Sequence, residues 1–415
     1  MIDHLNKGWK KIKLGAFVSL FGGAAFKSQD ATSEGIKWLK IANVGFGNVK
    51  WDVTEYLSIE FTKGYQRYLL QAPDIVVAMT RPVLSGYLKV ARLRPCDGVA
   101  LLNQRVAKVI VDDGIDSEFL LQHLFTRRLA SSLELALSGT DPPNLSASVL
   151  DDITIPLPPL PEQQKIATIL STWDRVIELT EKLIAAKQKR KQALMQQLLT
   201  GKVRFKEFEG KPWIRVPLDK LLKEVKRFVD WDDDAEYHLL SIRRRSGGIF
   251  DRETKVGHEI KTKVMMTTET GDFVIARMQA VHGAIAVTPP ACHGKHVSGS
   301  YSTFILKDPA KLHMPFLNYI SQTLAFYRLL LLSAYGVTIE KMTFNLPWFL
   351  SEKIDLPPTL EEQKRIANVF IAFDEENELL LRRLESLKQQ KKGLMQTLLT
   401  GKVRVEVANQ EPKHA

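Results

Sequence analysis

The sequence lacks what disulfide-linked, secreted and membrane-spanning proteins need. Only Cys96 and Cys292 occur in 415 residues, too few for a disulfide framework or a cysteine-based zinc site. The first residues carry charge without an apolar stretch behind them, and no run reaches the roughly 18 apolar residues of a spanning helix. These absences predict a protein of the reducing cytoplasm and disfavour secretion and membrane insertion.

Signatures of catalysis and metal binding are equally scarce. No Gly-rich nucleotide fingerprint follows a predicted strand, and Thr200-Gly-Lys202 lacks the spacing of a P-loop. Cys292-His293-Gly-Lys-His296 offers three metal ligands, but no other cluster supplies a fourth. We interpret Thr200-Gly-Lys202 as a helix end and the segment from Cys292 to His296 as a polar loop. We predict no catalytic residue and no metal site.

Positive charge exceeds negative charge, with 58 Lys and Arg against 47 Asp and Glu and a formal net charge of +11. This excess suggests a polyanionic partner. It is concentrated in two segments, residues 162–204 with 9 basic and 4 acidic residues and residues 362–404 with 9 and 6. The pattern is compatible with helices that run along phosphates or with acidic partner surfaces.

An internal repeat organises the chain. Residues 158–204 and 358–404 align without a gap at an offset of 200, with 20 identities over 47 positions. Each copy begins with prolines, which suit a helix start. Each copy closes at Thr-Gly, where Gly201 and Gly401 are predicted to adopt the left-handed conformation that ends a helix.

Apolar residues recur within each copy in alternating steps of four and three, the heptad pattern of a coiled coil. About 38 helical residues would extend about 57 Å at 1.5 Å per residue. Such a helix needs a partner for its apolar seam, and the other copy is the obvious one. Asn377 and several lysines interrupt the seam, either as tolerated defects or as residues that fix register.

The remaining sequence forms two weakly similar stretches of about 150 residues, in which short β-type runs precede a helical segment, 118–137 and 313–334. We therefore predict an α+β (α/β) fold class, with two similar globules separated by an antiparallel two-helix coiled coil related by a pseudo-twofold axis. The predicted order is 1–157 for the first globule, 158–204 for its helix, 205–356 for the second globule, 357–404 for its helix and 405–415 for a tail.

Together, Pro-Leu-Pro-Glu-Gln-Gln-Lys-Ile-Ala at 159–167, Leu-Met-Gln-Gln-Leu-Leu-Thr-Gly-Lys at 194–202 and their return 200 residues later resemble the specificity subunits of type I restriction-modification enzymes. The resemblance covers essentially the whole chain. It implies a non-catalytic DNA reader in which each globule is a target recognition domain for half of a bipartite, asymmetric site and the helices are spacers. Methyltransferase subunits and a restriction and motor subunit would be its partners. They would supply S-adenosylmethionine, ATP and Mg chemistry, with no cofactor in this chain.

Basic residues beside hydrogen-bonding residues at predicted turns are the candidates for DNA contact, since Arg pairs with guanine and Asn with adenine in the major groove. Arg243-Arg244-Arg245 aligns with the turn that contains Asn43, and the Arg277 to His282 turn aligns with the turn from Arg81 to Tyr87. Each turn is either a DNA reader or a solvated loop. Lys89, Arg92 and Arg94 are predicted to contact phosphates, which would position the protein without specifying a sequence. The candidates are Lys40, Asn43, Arg81, Tyr87, Lys89, Arg92, Arg243, Arg244, Arg245, Arg277, Gln279 and His282.

Two rival functions remain at this stage. One is a coiled-coil scaffold with two protein-binding globules. The other is a self-sufficient DNA methyltransferase with fused recognition domains, because Thr140-Asp-Pro-Pro-Asn144 resembles an amino-methyltransferase motif. The missing cofactor loop disfavours it, and so does Asn144, which replaces the aromatic residue that would stack on a flipped base. We interpret that segment as a turn.

Overall fold

The structure is a computed structural model that describes residues 8–139, 141–339 and 342–407. Thr140 of the Asp-Pro-Pro segment and residues 408–415 of the predicted tail lie outside the described residues. The chain divides into two compact units, residues 1–181 with 383–415 and residues 182–382. Each unit combines one globule with parts of both long helices.

The first unit is built mainly from short strands. Its strands are β1 (Lys10–Lys13), β2 (Val18–Gly22), β3 (Ala31–Thr32), β4 (Ile36–Leu39), β5 (Gly47–Asn48), β6 (Tyr56–Leu57), β7 (Leu69–Leu70), β8 (Ile75–Ala78), β9 (Val83–Leu84), β10 (Tyr87–Leu88), β11 (Val90–Arg92), β12 (Ala100–Leu102), β13 (Val106–Val111) and β14 (Thr154–Leu157). Its short helices are α1 (Phe61–Gly64), α2 (Ser117–Leu124), α3 (Arg127–Ala136) and α4 (Ala147–Leu150).

Two five-stranded sheets form this globule, in the orders β2-β13-β8-β11-β5 and β3-β6-β4-β12-β7, while β1 pairs with β14 and β9 with β10. Strand β8 is buried at all four positions, as its uninterrupted Ile-Val-Val-Ala sequence predicts for a central strand. The antiparallel β1–β14 pair joins the two ends of the globule, since Lys10 lies opposite Leu157. This pairing brings the globule's first strand to the start of its long helix.

The second unit repeats the plan with different strands. These are β15 (Ile214–Pro217), β16 (Leu222–Val225), β17 (Glu236–Ile242), β18 (Ile249–Val256), β19 (Met265–Thr267), β20 (Phe273–Ala276), β21 (Ile285–Val287), β22 (His296–Ser298), β23 (Tyr301–Leu306), β24 (Ala334–Tyr335), β25 (Thr343–Phe344) and β26 (Lys353–Leu356). Its short helices are α6 (Met314–Ile320), α7 (Leu324–Leu332) and α8 (Leu346–Ser351). The sheet orders are β16-β23-β20-β21 and β18-β17-β22-β19, with β15 paired to β26 and β24 to β25.

The helical segments after the central strands differ from the sequence prediction, because each is two helices rather than one. Thr126 and Thr323 accept hydrogen bonds from the backbone N–H groups of Leu129 and Phe326 at 3.3 Å and so start α3 and α7. A threonine N-cap competes with helix continuation at these positions.

The two long helices are α5 (Leu160–Leu198) and α9 (Leu360–Leu398), each of 39 residues. In the first unit the start of α5 packs against the end of α9, through Ile166, Leu170 and Leu398 in the core. The second unit has the reverse combination, with Ile366, Phe370 and Leu198. The helices therefore run antiparallel within each unit, and the predicted fold class of α+β globules with paired long helices is confirmed.

Both long helices end as predicted. Gly201 and Gly401 have φ of +67° and +72°, the left-handed conformation that a glycine adopts without a Cβ clash. A Cβ at Gly401 would lie 3.1 Å from the ring of Trp9, and one at Gly201 would lie 3.2 Å from the ring of Trp213. The repeat's Thr-Gly signature thus ends the helix and also makes room for a tryptophan of the globule.

A buried carboxylate joins the helix ends in each unit. In the first, Arg404 donates to Glu162 from Nε at 2.9 Å and from Nη2 at 2.7 Å, and Trp9 donates from Nε1 at 3.2 Å. In the second, Arg204 donates to Glu362 at 2.8 and 2.6 Å. The hydrogen bond to the carboxylate raises the pKa of each arginine. Because Glu and Arg come from different copies of the repeat, these pairs specify that the copies associate.

Lysines that interrupt the apolar seam form a second polar contact. Lys391, 9% exposed, donates to Asp174 at 2.6 Å, and Gln122 donates to the same carboxylate at 2.9 Å. In the second unit Asp374 accepts hydrogen bonds from Lys191 at 2.5 Å and from Tyr319 at 2.9 Å. These bonds favour the interpretation that the seam lysines fix register, because a one-turn slip would separate lysine from aspartate.

Burial, followed by the charge of Asp374, raises the pKa of Tyr319, so this phenol stays a hydrogen-bond donor. Asn377, the other interruption of the seam, has a buried Oδ1 without a hydrogen-bond partner in the described part of the chain.

The repeated Glu-Gln motif attaches each globule to its own helix. Gln163 accepts from the backbone N–H of Asp116 at 2.8 Å and donates to the carbonyl of Pro158 at 2.9 Å. Gln363 accepts from the N–H of His313 at 2.9 Å and donates to Pro357 at 3.2 Å. Each side chain, 1% exposed, therefore connects the start of its helix to the loop before the globule's α2 or α6.

Candidate nucleic-acid interface

In the second globule, the two predicted DNA-contact turns come together. The turn 243–248 follows β17, and the turn 277–282, a short 3-10 helix, follows β20. The backbone N–H of Arg245 donates to the carbonyl of His282 at 2.8 Å, and that of Ser246 donates to Gly283 at 2.7 Å. Arg245 and Ser246 have φ of +56° and +50°, so the turn is held in a left-handed conformation that side chains rarely adopt.

Two arginines of the turn 243–248 are oriented by neighbouring side chains. Arg244 donates from Nε to Oε1 of Gln279 at 2.8 Å, which leaves the terminal nitrogens of the guanidinium outside that bond. The guanidinium of Arg243 lies 4.0 Å from the centre of the Phe250 ring. Planar arginines held in this way are preorganised for bidentate contact with a base edge or phosphate. We call Arg243, Arg244, Arg245, Arg277, Gln279 and His282 the arginine surface of the second globule.

The corresponding region of the first globule is aromatic rather than arginine-rich. Tyr87 of the β9–β10 hairpin is 37% exposed and lies 6.3 Å, ring centre to ring centre, from Phe46, which is 46% exposed. The guanidinium of Arg127 lies 4.8 Å from the Tyr87 ring. Arg81 begins this hairpin with φ of +47°, and its N–H donates to Pro143 at 2.8 Å. The exposed side chains of Arg81 and Tyr87 thus share one hairpin.

The Asp-Pro-Pro-Asn segment supports this hairpin. Asn144 accepts a hydrogen bond from the Thr80 hydroxyl at 3.1 Å. This contact favours the interpretation of the segment as a turn, because the Asn144 amide is used to hold the chain beside Arg81.

The side chain of Asn43, a predicted DNA contact, is engaged within its own turn. Asn43 is 5% exposed; its Oδ1 accepts from the N–H of Lys40 at 2.9 Å, and its Nδ2 donates to the carbonyls of Lys50 and Val53 at 2.9 and 3.1 Å. Both amide N–H groups are thus used within the protein, and the side chain holds its own turn.

Arg92, predicted to contact phosphate, is also engaged within the protein. Its guanidinium is ion-paired with Glu118, with side-chain exposures of 24% and 23%. Burial lowers the pKa of Arg92, while the charge of Asp116 opposes that shift. A half-buried arginine already neutralised by a carboxylate is a structural contact.

Lys40 and Lys89 are both engaged within the protein. Lys40 binds Glu55 at 2.5 Å and lies 3.7 Å from the centre of the Trp38 ring. Lys89 donates to the carbonyl of Ile41 at 2.9 Å, and burial followed by the charge of Lys50 lowers the pKa of Lys89. Either ammonium keeps further N–H donors, so both stay predictions.

Sequence reasoning missed Phe46 and the pair Arg127 and Arg128. Phe46 lies between Gly45 and Gly47, a pattern that presents an aromatic ring on a turn. The arginines directly follow Thr126, the N-cap of α3, where acidic residues are usual. Either departure from the expected pattern could have drawn attention to them.

The described residues contain neither a candidate metal site nor a candidate membrane-spanning helix. Within them, no group of three or more His, Cys, Asp or Glu side chains is placed to hold a metal ion. No helix there combines the length and apolar character needed to cross a membrane.

Comparison with known proteins places the first half of the chain. Residues 6–187 match the family model described as type I restriction modification DNA specificity domain. The chain is 36% identical over 206 residues to the type I restriction enzyme MjaVIII specificity subunit of Methanocaldococcus jannaschii, covering 49% of this chain and 48% of that protein. It is 30% identical over 181 residues to the EcoAI specificity subunit of Escherichia coli, covering 43% and 30%. The alignments thus span half or less of these relatives.

Solved structures agree on the fold over nearly the whole chain. The S subunit of a type I restriction-modification system from M. genitalium matches with a TM-score of 0.58 at 16% identity, covering 95% of this chain and 98% of that one. A chain from a study of complex assembly and conformational transition of the type I R-M system matches with a TM-score of 0.54 at 19% identity, covering 96% and 100%. The family-model match and the similar specificity subunits confirm the resemblance inferred from the helix motifs, and these structures show the same fold.

Proposed function

We propose that this chain, whose residues 6–187 belong to the type I restriction modification DNA specificity domain family, is the DNA sequence-recognition subunit of a type I restriction-modification complex. One observation carries the proposal: a DNA specificity domain and its helix are followed, 200 residues later, by a second copy of the helix motif attached to a second globule. Two globules that differ at equivalent turns are suited to a bipartite site with two different half-sites.

The chemistry of the turns supports this role. The second globule presents arginines, which pair bidentately with guanine. The first presents Tyr87 and Arg81 on a hairpin, so the two globules would read different sequences. The Glu–Arg and Asp–Lys pairs then act on recognition indirectly, because they hold each globule on the helix ends.

We propose methyltransferase subunits and a restriction and motor subunit as partners, with S-adenosylmethionine, ATP and Mg bound by them rather than by this chain. The chain itself would be non-catalytic and act in the cytoplasm. The exposed faces of α5 and α9 are candidates for the docking of methyltransferase subunits.

Methylome sequencing of cells with and without this gene tests the proposal. The expected result is one bipartite asymmetric methylated motif, with a fixed unread gap, that disappears on deletion and returns on complementation. An unchanged methylome in cells that retain the methyltransferase genes would refute it. Salt-independent binding of the purified chain to duplex DNA would favour the scaffold rival, since phosphate contacts release counterions.

A further inference from the structure

A basic groove lies within the first unit, between its globule and the end of α9. It has a volume of about 1000 Å³. Apolar side chains such as Leu129, Ile155 and Met395 line its interior. Six cations also line it: Arg127, Arg128, Lys388, Lys391, Lys392 and Lys402.

Four of these cations have no carboxylate partner within the described residues. Lys391 is neutralised by Asp174, and Lys388 by Glu181 at 2.7 Å. Glu385 is a further carboxylate on the lining. Arg127, Arg128, Lys392 and Lys402 are exposed, and their charge exceeds that of the remaining acidic side chain.

Two of these four exposed cations lie where a positive charge is unusual in a helix. Arg127 and Arg128 occupy the first turn of α3, where the partial positive charge of the helix N-terminus disfavours cations. A bound anion would relieve this repulsion. Arginines at this position are thus unfavourable without a bound anion and favourable with one.

The second copy of the repeat serves as an internal comparison. Counted from the N-caps Thr126 and Thr323, Leu324 and Ala325 replace Arg127 and Arg128. At the offset of 200, Gln192 replaces Lys392, while Lys202 matches Lys402. A surface for a partner that binds both copies of the repeat would keep the cations in both units. A surface that belongs to one half-site would differ between the units, as this one does.

The groove is continuous with the candidate DNA contacts of the first globule, because Phe46 and Tyr87 line it and Arg127 lies over the Tyr87 ring. We infer that Arg127, Arg128, Lys392 and Lys402 bind the phosphate backbone of the duplex beside the half-site read by the first globule. This inference rests on the proposed function. The first half-site is then held by a groove in which Arg127, Arg128 and Lys392 have no counterparts in the second unit.

Salt dependence of DNA binding by the full-length chain tests this inference. Fluorescence anisotropy with a labelled duplex, between 50 and 200 mM salt, gives the slope of log Kd against log salt concentration. Each phosphate contact contributes about 0.9 to that slope. The variant Arg127→Ala/Arg128→Ala/Lys392→Ala/Lys402→Ala should lower this slope by about 3.6. Its affinity for DNA should then change about 150-fold less between 50 and 200 mM salt than that of the wild type.

A matched control removes four exposed lysines elsewhere: Lys27→Ala/Lys206→Ala/Lys223→Ala/Lys261→Ala. It has the same net charge as the groove variant and should keep a slope close to wild type. A gain-of-charge variant, Leu324→Arg/Ala325→Arg/Gln192→Lys, alters exposed positions of the second unit and should steepen the slope. Circular dichroism checks that each variant is folded.

The outcomes separate the two proposals. Wild-type binding that does not depend on salt refutes both DNA reading and the groove. Salt-dependent wild-type binding with equal slopes for the groove variant and its control overturns the groove alone. A groove variant that keeps the wild-type slope but loses association with the purified methyltransferase subunits identifies an acidic protein as the occupant, and also overturns the inference.

Discussion

The ion pair between Arg204 and Glu362 should contribute strongly to the stability of the second unit. The Glu362 side chain is 1% exposed and that of Arg204 is 14% exposed. Replacing Arg204 with Met keeps much of the side-chain volume but leaves a buried carboxylate whose remaining side-chain donor is the Trp213 indole at 3.4 Å. Removing one partner of a buried pair costs about 3–5 kcal/mol. We expect the lower end, about 3 kcal/mol, because the guanidinium reaches the surface.

The double variant Arg204→Met/Glu362→Met supplies the decisive comparison. Replacing both members of a buried pair by apolar residues is often neutral, so the double variant should recover most of the loss in the free energy of unfolding. Urea unfolding followed by circular dichroism measures both variants, and hydrogen exchange at residues 199–204 reports on the local effect.

Arg365→Met is the matched control. Arg365 and Glu207 are 61% and 52% exposed and 3.9 Å apart, and such exposed pairs contribute about 0–1 kcal/mol. Two results would refute the reasoning: an Arg204→Met variant no less stable than the Arg365→Met control, or a double variant as unstable as Arg204→Met alone.

Three further predictions follow from the site and the helix pair. Replacing the arginines at 243–245 with alanine should weaken DNA binding and relax base discrimination in one half-site only, at a cost of about 1–3 kcal/mol for each lost bidentate contact. Methylome sequencing checks this prediction, and two unchanged half-sites would show that the turn is a solvated loop. Burial, followed by the charge of Arg128, lowers the pKa of His123 to about 3, so the folded state keeps it neutral while the unfolded chain protonates near 6.5. The stabilisation from neutral His123 is therefore present above pH 6.5 and is lost as pH falls toward 3, at up to about 1.4 kcal/mol per pH unit. The free energy of unfolding of His123→Phe should decrease less steeply with falling pH than that of the wild type. Equal slopes for the two proteins would contradict the shift. A chain of residues 1–204 holds both Glu162 and Arg204, so two copies could form the Glu–Arg pair with each other; analytical ultracentrifugation should find a dimer, and a stable folded monomer would count against the helix-pairing argument.

Local sequence patterns determined the long helices and their association. The prolines, the four-and-three spacing of apolar residues and the Thr-Gly ends follow from backbone sterics and helix periodicity, and α5 and α9 lie within the predicted segments. The sequence also shows that Glu162 matches Glu362, and Arg204 matches Arg404, in the two copies of the repeat. That each Glu pairs with the Arg of the other copy is a nonlocal contact, and it required the structure.

The DNA-contact predictions show the same division. Residue type and turn position marked both turns of the second globule, but their meeting through Arg244 and Gln279 depends on how the two sheets that contain β17 and β20 lie against each other. Asn43 and Arg92 have suitable side chains, yet tertiary packing gave them partners inside the protein. Local sequence shows which groups a turn carries. Only the fold decides which hydrogen-bonding capacity stays free for a ligand, because burial and partners come from residues distant in sequence.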